Sequence, residues 1–219
     1  MIILIRSEKG GVGKSTLATN LAVLLTSFGR DVVIVDADRQ STYANWAQDR
    51  SESEQIKIDC IRQYDNLKAT LDSLNSRYEI VIVDCQGRIS QEIRTGLLAS
   101  DLVVIPFKPS QWDLDTLPSM LNVIKEAKDF NQALISCAVM TMSPTNPNMD
   151  DLIFSNYQDI TLLNTAICER KVYKEAASLG LGVTELDNQK ANNEIIGYNH
   201  FLNQILKVCV IAKLLQSII

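Results

Sequence analysis

Short runs of branched apolar residues alternate along this chain with longer stretches of mixed polarity. The runs at residues 2–5, 32–35, 80–83, 102–105 and 133–139 have the length and composition of strands. Several are apolar throughout, and a strand apolar on both faces belongs in a parallel sheet covered on both sides. Helix-length segments separate most of them. The pattern therefore predicts a doubly wound, mainly parallel sheet flanked by helices, a three-layer α/β/α arrangement whose ligands bind at the carboxyl ends of the strands. Residues 16–28 set Leu17, Leu21, Leu24, Leu25 and Phe28 at helical spacing ahead of Gly29, so the first helix is expected to stop there. Residues 50–55 read as a polar connection and 143–148 as a loop. Neither has the length of a linker and no repeat is found, so one domain over 1–219 is expected, with 207–219 an apolar helical extension.

Composition narrows the class. A chain of 219 residues that is 46% hydrophobic and 21% charged, with five prolines, is an ordinary globular sequence with enough length for a sizeable core. The five cysteines, Cys60, Cys85, Cys137, Cys168 and Cys209, are odd in number and follow no C-x-x-C spacing, so they read as buried reduced thiols. The apolar start lacks a basic region and a cleavage site, which argues against a secretory signal. The most apolar stretch, 201–219, is broken by Asn203, Gln204, Lys207 and Lys213, so no membrane span is expected. A net charge of -5 disfavours a bulk polycation that coats nucleic acid but leaves a local basic face possible. His200 is the sole histidine, which excludes a His-rich metal site and a Ser-His-Asp hydrolase; it is expected on a helix surface.

The chemistry begins after the first strand, in Lys9-Gly10-Gly11-Val12-Gly13-Lys14-Ser15-Thr16. Glycines here let backbone N–H groups converge on phosphate oxygens, and the next helix turns its N-terminus to the same anion. Lys14 would reach the β and γ phosphates of a nucleotide, and the Ser15 hydroxyl would ligate magnesium. Two predicted strands end in acids: Val35-Asp36-Ala37-Asp38-Arg39-Gln40 and Val83-Asp84-Cys85-Gln86-Gly87. Taken singly, each acid reads equally well as a helix cap or turn residue. Beside a phosphate loop in a parallel sheet, they converge where a metal and an attacking water must sit.

The strict phosphate-loop pattern asks for glycine where this chain has Glu8, whereas the extra early lysine, Lys9, fits a deviant form. On these residues the sequence resembles the ParA/MinD family of deviant-Walker ATPases, in particular the small single-domain plasmid-partition ParA (ParF-like) proteins. That resemblance implies a P-loop NTPase fold, ATP and Mg2+ as cofactors, and an ATP-sandwich homodimer in which Lys9 reaches the partner's nucleotide. It matches Asp84 to the Walker B aspartate and Asp38 to the residue that positions the hydrolytic water, with Asp36 supporting the metal–water network and Gly87 freeing a switch loop. The family usually has proline where this chain has Arg39, which offers a cation for phosphate or DNA instead. Pro106 and Pro109, in Ile105-Pro106-Phe107-Lys108-Pro109-Ser110, resemble the adenine-side loop, and read alone they are an ordinary strand-ending turn.

Residues 165–176 resemble a T-x-I-x-x-R-x-x-Y segment of the small ParA proteins, and with Asn45-Trp46 the likeness extends to Leu206. There Arg170, Lys171 and Lys174 would lie on about one helical turn and form a face for nonspecific double-stranded DNA; with Glu169 and Glu175 among them, they read equally as a solvated surface. No helix-turn-helix precedes the loop, so the resemblance assigns sequence recognition to a cargo-bound, centromere-binding ParB/ParG-type partner that stimulates hydrolysis. The implied function is plasmid segregation by a cytoplasmic, nucleoid-associated ATPase. Three alternatives stand beside it: a MinD-like membrane-surface ATPase using residues 207–219, an iron–sulfur reductase of the nitrogenase type, and a non-hydrolysing adaptor. ParA-type positioning of another cargo also remains open.

Overall fold

The computed structural model describes residues 1–39, 43–85, 90–109, 117–143, 160–186 and 191–216. Seven parallel strands form one sheet: β1 (Ile2–Ile5), β2 (Val32–Ala37), β3 (Asp59–Arg62), β4 (Ile80–Cys85), β5 (Leu102–Phe107), β6 (Ile135–Ser143) and β7 (Thr161–Cys168), in the order β3-β2-β4-β1-β5-β6-β7. Among the described residues the α-helices are α1 (Lys14–Ser27), α2 (Tyr43–Glu52), α3 (Lys68–Asn75), α4 (Gln91–Ala99), α5 (Leu117–Lys128), α6 (Lys171–Ala177) and α7 (Asn192–Gln216). The doubly wound three-layer sandwich is as the hydrophobic pattern predicts.

Strand alternation divides the core into two. Ile3, Ile5, Ile34 and Ile82 face one side, where α1, α2, α6 and α7 bury Leu17, Leu21, Trp46, Tyr173 and Phe201. Ile2, Leu4, Val35 and Val83 face the other, under Leu71, Leu97 and Ile124 of α3, α4 and α5. By the same alternation Asp36 and Asp84, in step with Ile34 and Ile82, project on the α1 side. β1 lies at the centre, and the chain fills positions on its β4 side before crossing to β5, β6 and β7, so the end of β1 is the switch point of the sheet.

Several local expectations change. β3 and β7 emerge as edge strands that the pattern did not single out, and β6 begins and ends later than 133–139. The polar connection at 50–55 starts inside α2, and its Arg50 is 2% exposed. Phe28, placed on the apolar stripe of α1, is 60% exposed, because the helix ends one residue before it. Gly29 closes that end at φ +75°, with Arg30 N–H returning to Leu25 O at 3.2 Å. Cys85, Cys137 and Cys209 are buried as expected, but Cys60 and Cys168 are only half-buried. Of the loop at 143–148, Ser143 ends β6 and the rest lies outside the described residues.

Candidate nucleotide site

Residues 6–13 turn the chain from β1 into α1. Gly11 and Gly13 take φ of +69° and +84°, values that strain any residue with a side chain, while the space beside Gly13 is open to ordinary contact with Met142 Sδ at 3.7 Å. From below, the Thr141 hydroxyl of β6 donates to Val12 O at 2.7 Å, tying the loop to the sheet. The first intrahelical bond runs from Leu17 N–H to Gly13 O. The amides of Lys14, Ser15 and Thr16 precede it, have no partner within the helix, and sit at its positive end. Lys14 Nζ donates to Lys9 O at 3.3 Å, which folds the ammonium over the loop. The Lys9 side chain is half-exposed and makes no hydrogen bond or ion pair with the described residues.

β2 and β4 run in register, pairing Asp36 with Asp84 beside Ile5 of β1. Asp84 is fully buried. Its Oδ2 accepts from Ser15 Oγ at 2.6 Å and from the Tyr43 hydroxyl at 3.0 Å, while its Oδ1 is buried and makes no hydrogen bond. Burial lifts its pKa from 3.8 to about 6, against the opposing pull of Ser15, Lys14 and Tyr43 and with a push from Asp38. Asp36 is also buried, but it anchors its own loop: Oδ1 accepts the Asp38 amide at 3.1 Å and Oδ2 faces Arg62 Nε at 3.8 Å. Asp38 is partly exposed. The exposed Arg39 guanidinium lies 4.8 Å over the Tyr64 ring and pairs with Asp65 at 3.0 Å.

These residues fit a magnesium nucleotide. A serine hydroxyl that gives its proton to Asp84 keeps its lone pairs for a hard cation, and the orphaned Asp84 Oδ1 is a place for that cation's water. Lys14 and the amides at the head of α1 offer positive charge to the phosphates. Ser15, Lys14, Lys9 and Asp84 are thus brought together by the fold, with Asp36 and Asp38 on the adjoining strand end.

Beside the loop opens a cavity of about 650 Å3, lined by Thr16, Met142, Ser143, Glu169, Arg170, Lys171, Tyr173 and Lys174. Its volume suits a small-molecule moiety. Pro106 is buried within β5, opposite Val139, and Pro109 is exposed; neither lines this cavity. The basic trio does line it. Arg170 is the residue before α6 rather than part of its turn, and its Nε pairs with buried Glu194 of α7 at 3.2 Å; Lys171 and Lys174 are exposed on α6. The residue that sequence reasoning passed over is Tyr43. Its one signal was a hydroxyl-bearing aromatic at the start of a helix, five residues after Asp38 and three before Trp46.

The remaining alternatives meet the structure unevenly. Cys85 and Cys137 project into opposite cores, and among the described residues no three His, Cys, Asp or Glu side chains gather as a metal group. Among the described residues no helix is long and apolar enough to cross a membrane. α7 runs on to Gln216, and its Val208 and Cys209 pack against the core on the α1 side.

Known proteins share this fold. Over 204 residues the chain is 27% identical to the maintenance of carboxysome distribution protein A of Halothiobacillus neapolitanus, covering 90% of this chain and 93% of that one. Its fold matches a Borrelia burgdorferi B31 protein assigned to plasmid partition and bound to AMPPNP (TM-score 0.68, 21% identity, 94% and 98% covered). It also matches the cell division ATPase MinD of Pyrococcus furiosus (TM-score 0.70, 18% identity, 94% and 98% covered). The family model of the CobQ/CobB/MinD/ParA nucleotide-binding domain matches residues 3–208, and the chain belongs to that family.

Proposed function

We propose that this ATPase is a partition or positioning motor: ATP and magnesium assemble a homodimer that binds nonspecific double-stranded DNA, and a cargo-bound partner triggers hydrolysis and release. ATP hydrolysis with magnesium is the activity of its family, in which ATP-dependent dimers work with partner proteins. The observation that carries the reading is the joined set Ser15, Asp84, Lys14 and Lys9, the half-exposed Lys9 side chain making no ion pair among the described residues. Lys14 holds the transferring phosphoryl, Ser15 and Asp84 place the cation, and Asp38 positions the water. Lys9 supplies a second cation, from the partner subunit, as an arginine finger does. The base occupies the cavity beside Thr16, in place of the Pro106 and Pro109 turn.

The exposed Lys171 and Lys174 form a basic rim to that cavity, so the DNA surface and the nucleotide adjoin. Sequence-independent phosphate contacts of this kind weaken steeply with salt. The cargo is plasmid DNA, or, as the likeness to a carboxysome distribution protein supports, a protein compartment carried over the nucleoid. The test is retention on nonspecific duplex DNA with ATP, ADP or no nucleotide over a salt series, with Lys9→Ala alongside. Binding only with ATP, weakened by salt and lost in the variant, is expected. Absence of DNA binding in every state overturns the reading, and ATP-dependent liposome binding that needs residues 207–219 would replace it with the MinD-like one.

A further inference from the structure

The phosphate loop and the two strand-end carboxylates leave one buried polar group of the site without a task. Tyr43, the first residue of α2, is 2% exposed, and its hydroxyl lies 3.0 Å from Asp84 Oδ2 and 3.4 Å from Ser15 O. A phenol has one proton to give. At neutral pH a tyrosine hydroxyl is protonated and donates. Ser15 Oγ gives its own proton to the same oxygen at 2.6 Å. Both donors to the carboxylate therefore fall on Oδ2, and Oδ1 is left buried and unbonded. Two donors from different elements, α1 and α2, fix the rotation of the carboxylate about its Cβ–Cγ bond; with Ser15 alone that rotation would be set by one bond.

We propose that Tyr43 is a positioning residue of the magnesium site: its hydroxyl holds Asp84 Oδ2 so that Oδ1 is kept for the cation's water, and the seating of α2 thereby sets the affinity for the metal. The inference rests on the ATP and magnesium chemistry above and adds to it a second, α2-borne donor. It also gives α2 a route to the metal.

Tyr43→Phe removes the hydroxyl and keeps the ring in the core on the α1 side, where Tyr43 packs. The experiment titrates Mg2+ against the rise in melting temperature produced by saturating ADP, with the same nucleotide in EDTA as the metal-free arm. Electron paramagnetic resonance of Mn2+ with ADP measures metal affinity directly. The loss of one hydrogen bond to a charged acceptor predicts roughly a tenfold rise in the Mg2+ midpoint and in the Mn2+ dissociation constant. Melting without metal should be unchanged within about 2 °C. An unchanged metal midpoint overturns the proposal, as does a lower metal-free melting temperature or weaker ADP binding in EDTA with the midpoint unmoved, which marks a packing role only. If the unsubstituted chain shows no magnesium dependence at all, the metal reading itself falls and takes this inference with it.

Discussion

Replacing Asp84 by Asn should stabilise the nucleotide-free protein at neutral pH while removing its response to magnesium. Burial raises the Asp84 pKa from 3.8 to about 6, chiefly through desolvation, with Ser15, Lys14 and Tyr43 only partly offsetting it. The folded chain thus binds a proton more tightly than the unfolded one. At pH 7.5 both forms are ionised, and the buried charge costs about 2 pKa units at 1.36 kcal/mol each, roughly 3 kcal/mol. Below pH 3.8 both forms are protonated and the cost vanishes. Between about pH 4 and 6 the folded state carries the extra proton, so stability falls as pH rises through that window. Asn carries no charge and keeps an oxygen for Ser15 and Tyr43, but its amide takes the place of the unbonded Oδ1 and returns about 1 kcal/mol. A net gain of about 1–2 kcal/mol remains. Urea unfolding of parent and variant in EDTA at pH 7.5 and pH 4.5 reads it as a difference, which cancels the other titrating groups. The variant should be the more stable at pH 7.5, with the gap closing at pH 4.5. A variant equal to or less stable than the parent at pH 7.5 would show that Asp84 is not strained by burial and refute the reasoning.

The other predictions concern the loop and its supports. Lys14→Ala should abolish productive ATP binding, whereas Lys9→Ala should keep much of it and lose ATP-dependent dimerisation, read by fluorescent-nucleotide titration and light scattering; equal loss of binding in both counts against a trans role for Lys9. Arg50→Met should cost about 3–5 kcal/mol in urea unfolding, since Arg50 forms a two-pronged pair with Glu185 at 2.9 Å on each side and also donates to Ile56 O and Gly180 O, and the change leaves a largely buried carboxylate behind. Gly180→Ala should cost about 2–4 kcal/mol, because its φ is +68° and a Cβ would run into the backbone of Asp49 and Arg50. Arg39→Ala, at an exposed ion pair, should change unfolding by less than about 1 kcal/mol, with the effect shrinking in salt.

What was legible in the sequence follows what burial does to composition. The five inner strands stood out because both their faces are covered, so nearly every residue is apolar. β3 is half-open to solvent and reads Asp-Cys-Ile-Arg, too short and too polar for periodicity to mark. β7 alternates exposed and buried positions, but its Asn and Thr residues blurred the period. The phosphate loop was plain because glycine, lysine and serine at fixed offsets answer one chemical need. Arg50 misled because an arginine in a polar run is normally solvated, and only the fold brings Glu185 to it. Of the basic trio Lys171 and Lys174 are exposed, and the pairing of Arg170 with Glu194 of α7, like the place of all three beside Thr16, is set by the fold rather than by local sequence. Tyr43 escaped notice since a hydroxyl on an aromatic gains its meaning from a carboxylate 41 residues away.

The central place of β1 also bears on how the chain reaches this state. Ile2 pairs with Val81 across one flank and Ile3 with Leu102 across the other, so the strand that carries the phosphate loop has no neighbour until β4 has been made and is flanked on both sides only after β5. At ribosomal rates of about 5–20 residues per second, the roughly 75 residues between β1 and β4 leave that apolar ribbon unpaired for about 4–15 s. Long-range parallel pairing is intrinsically slow to form. The nascent chain therefore passes through a period in which an all-apolar strand is bare, and a chaperone that binds short Ile- and Leu-rich stretches would find its substrate there.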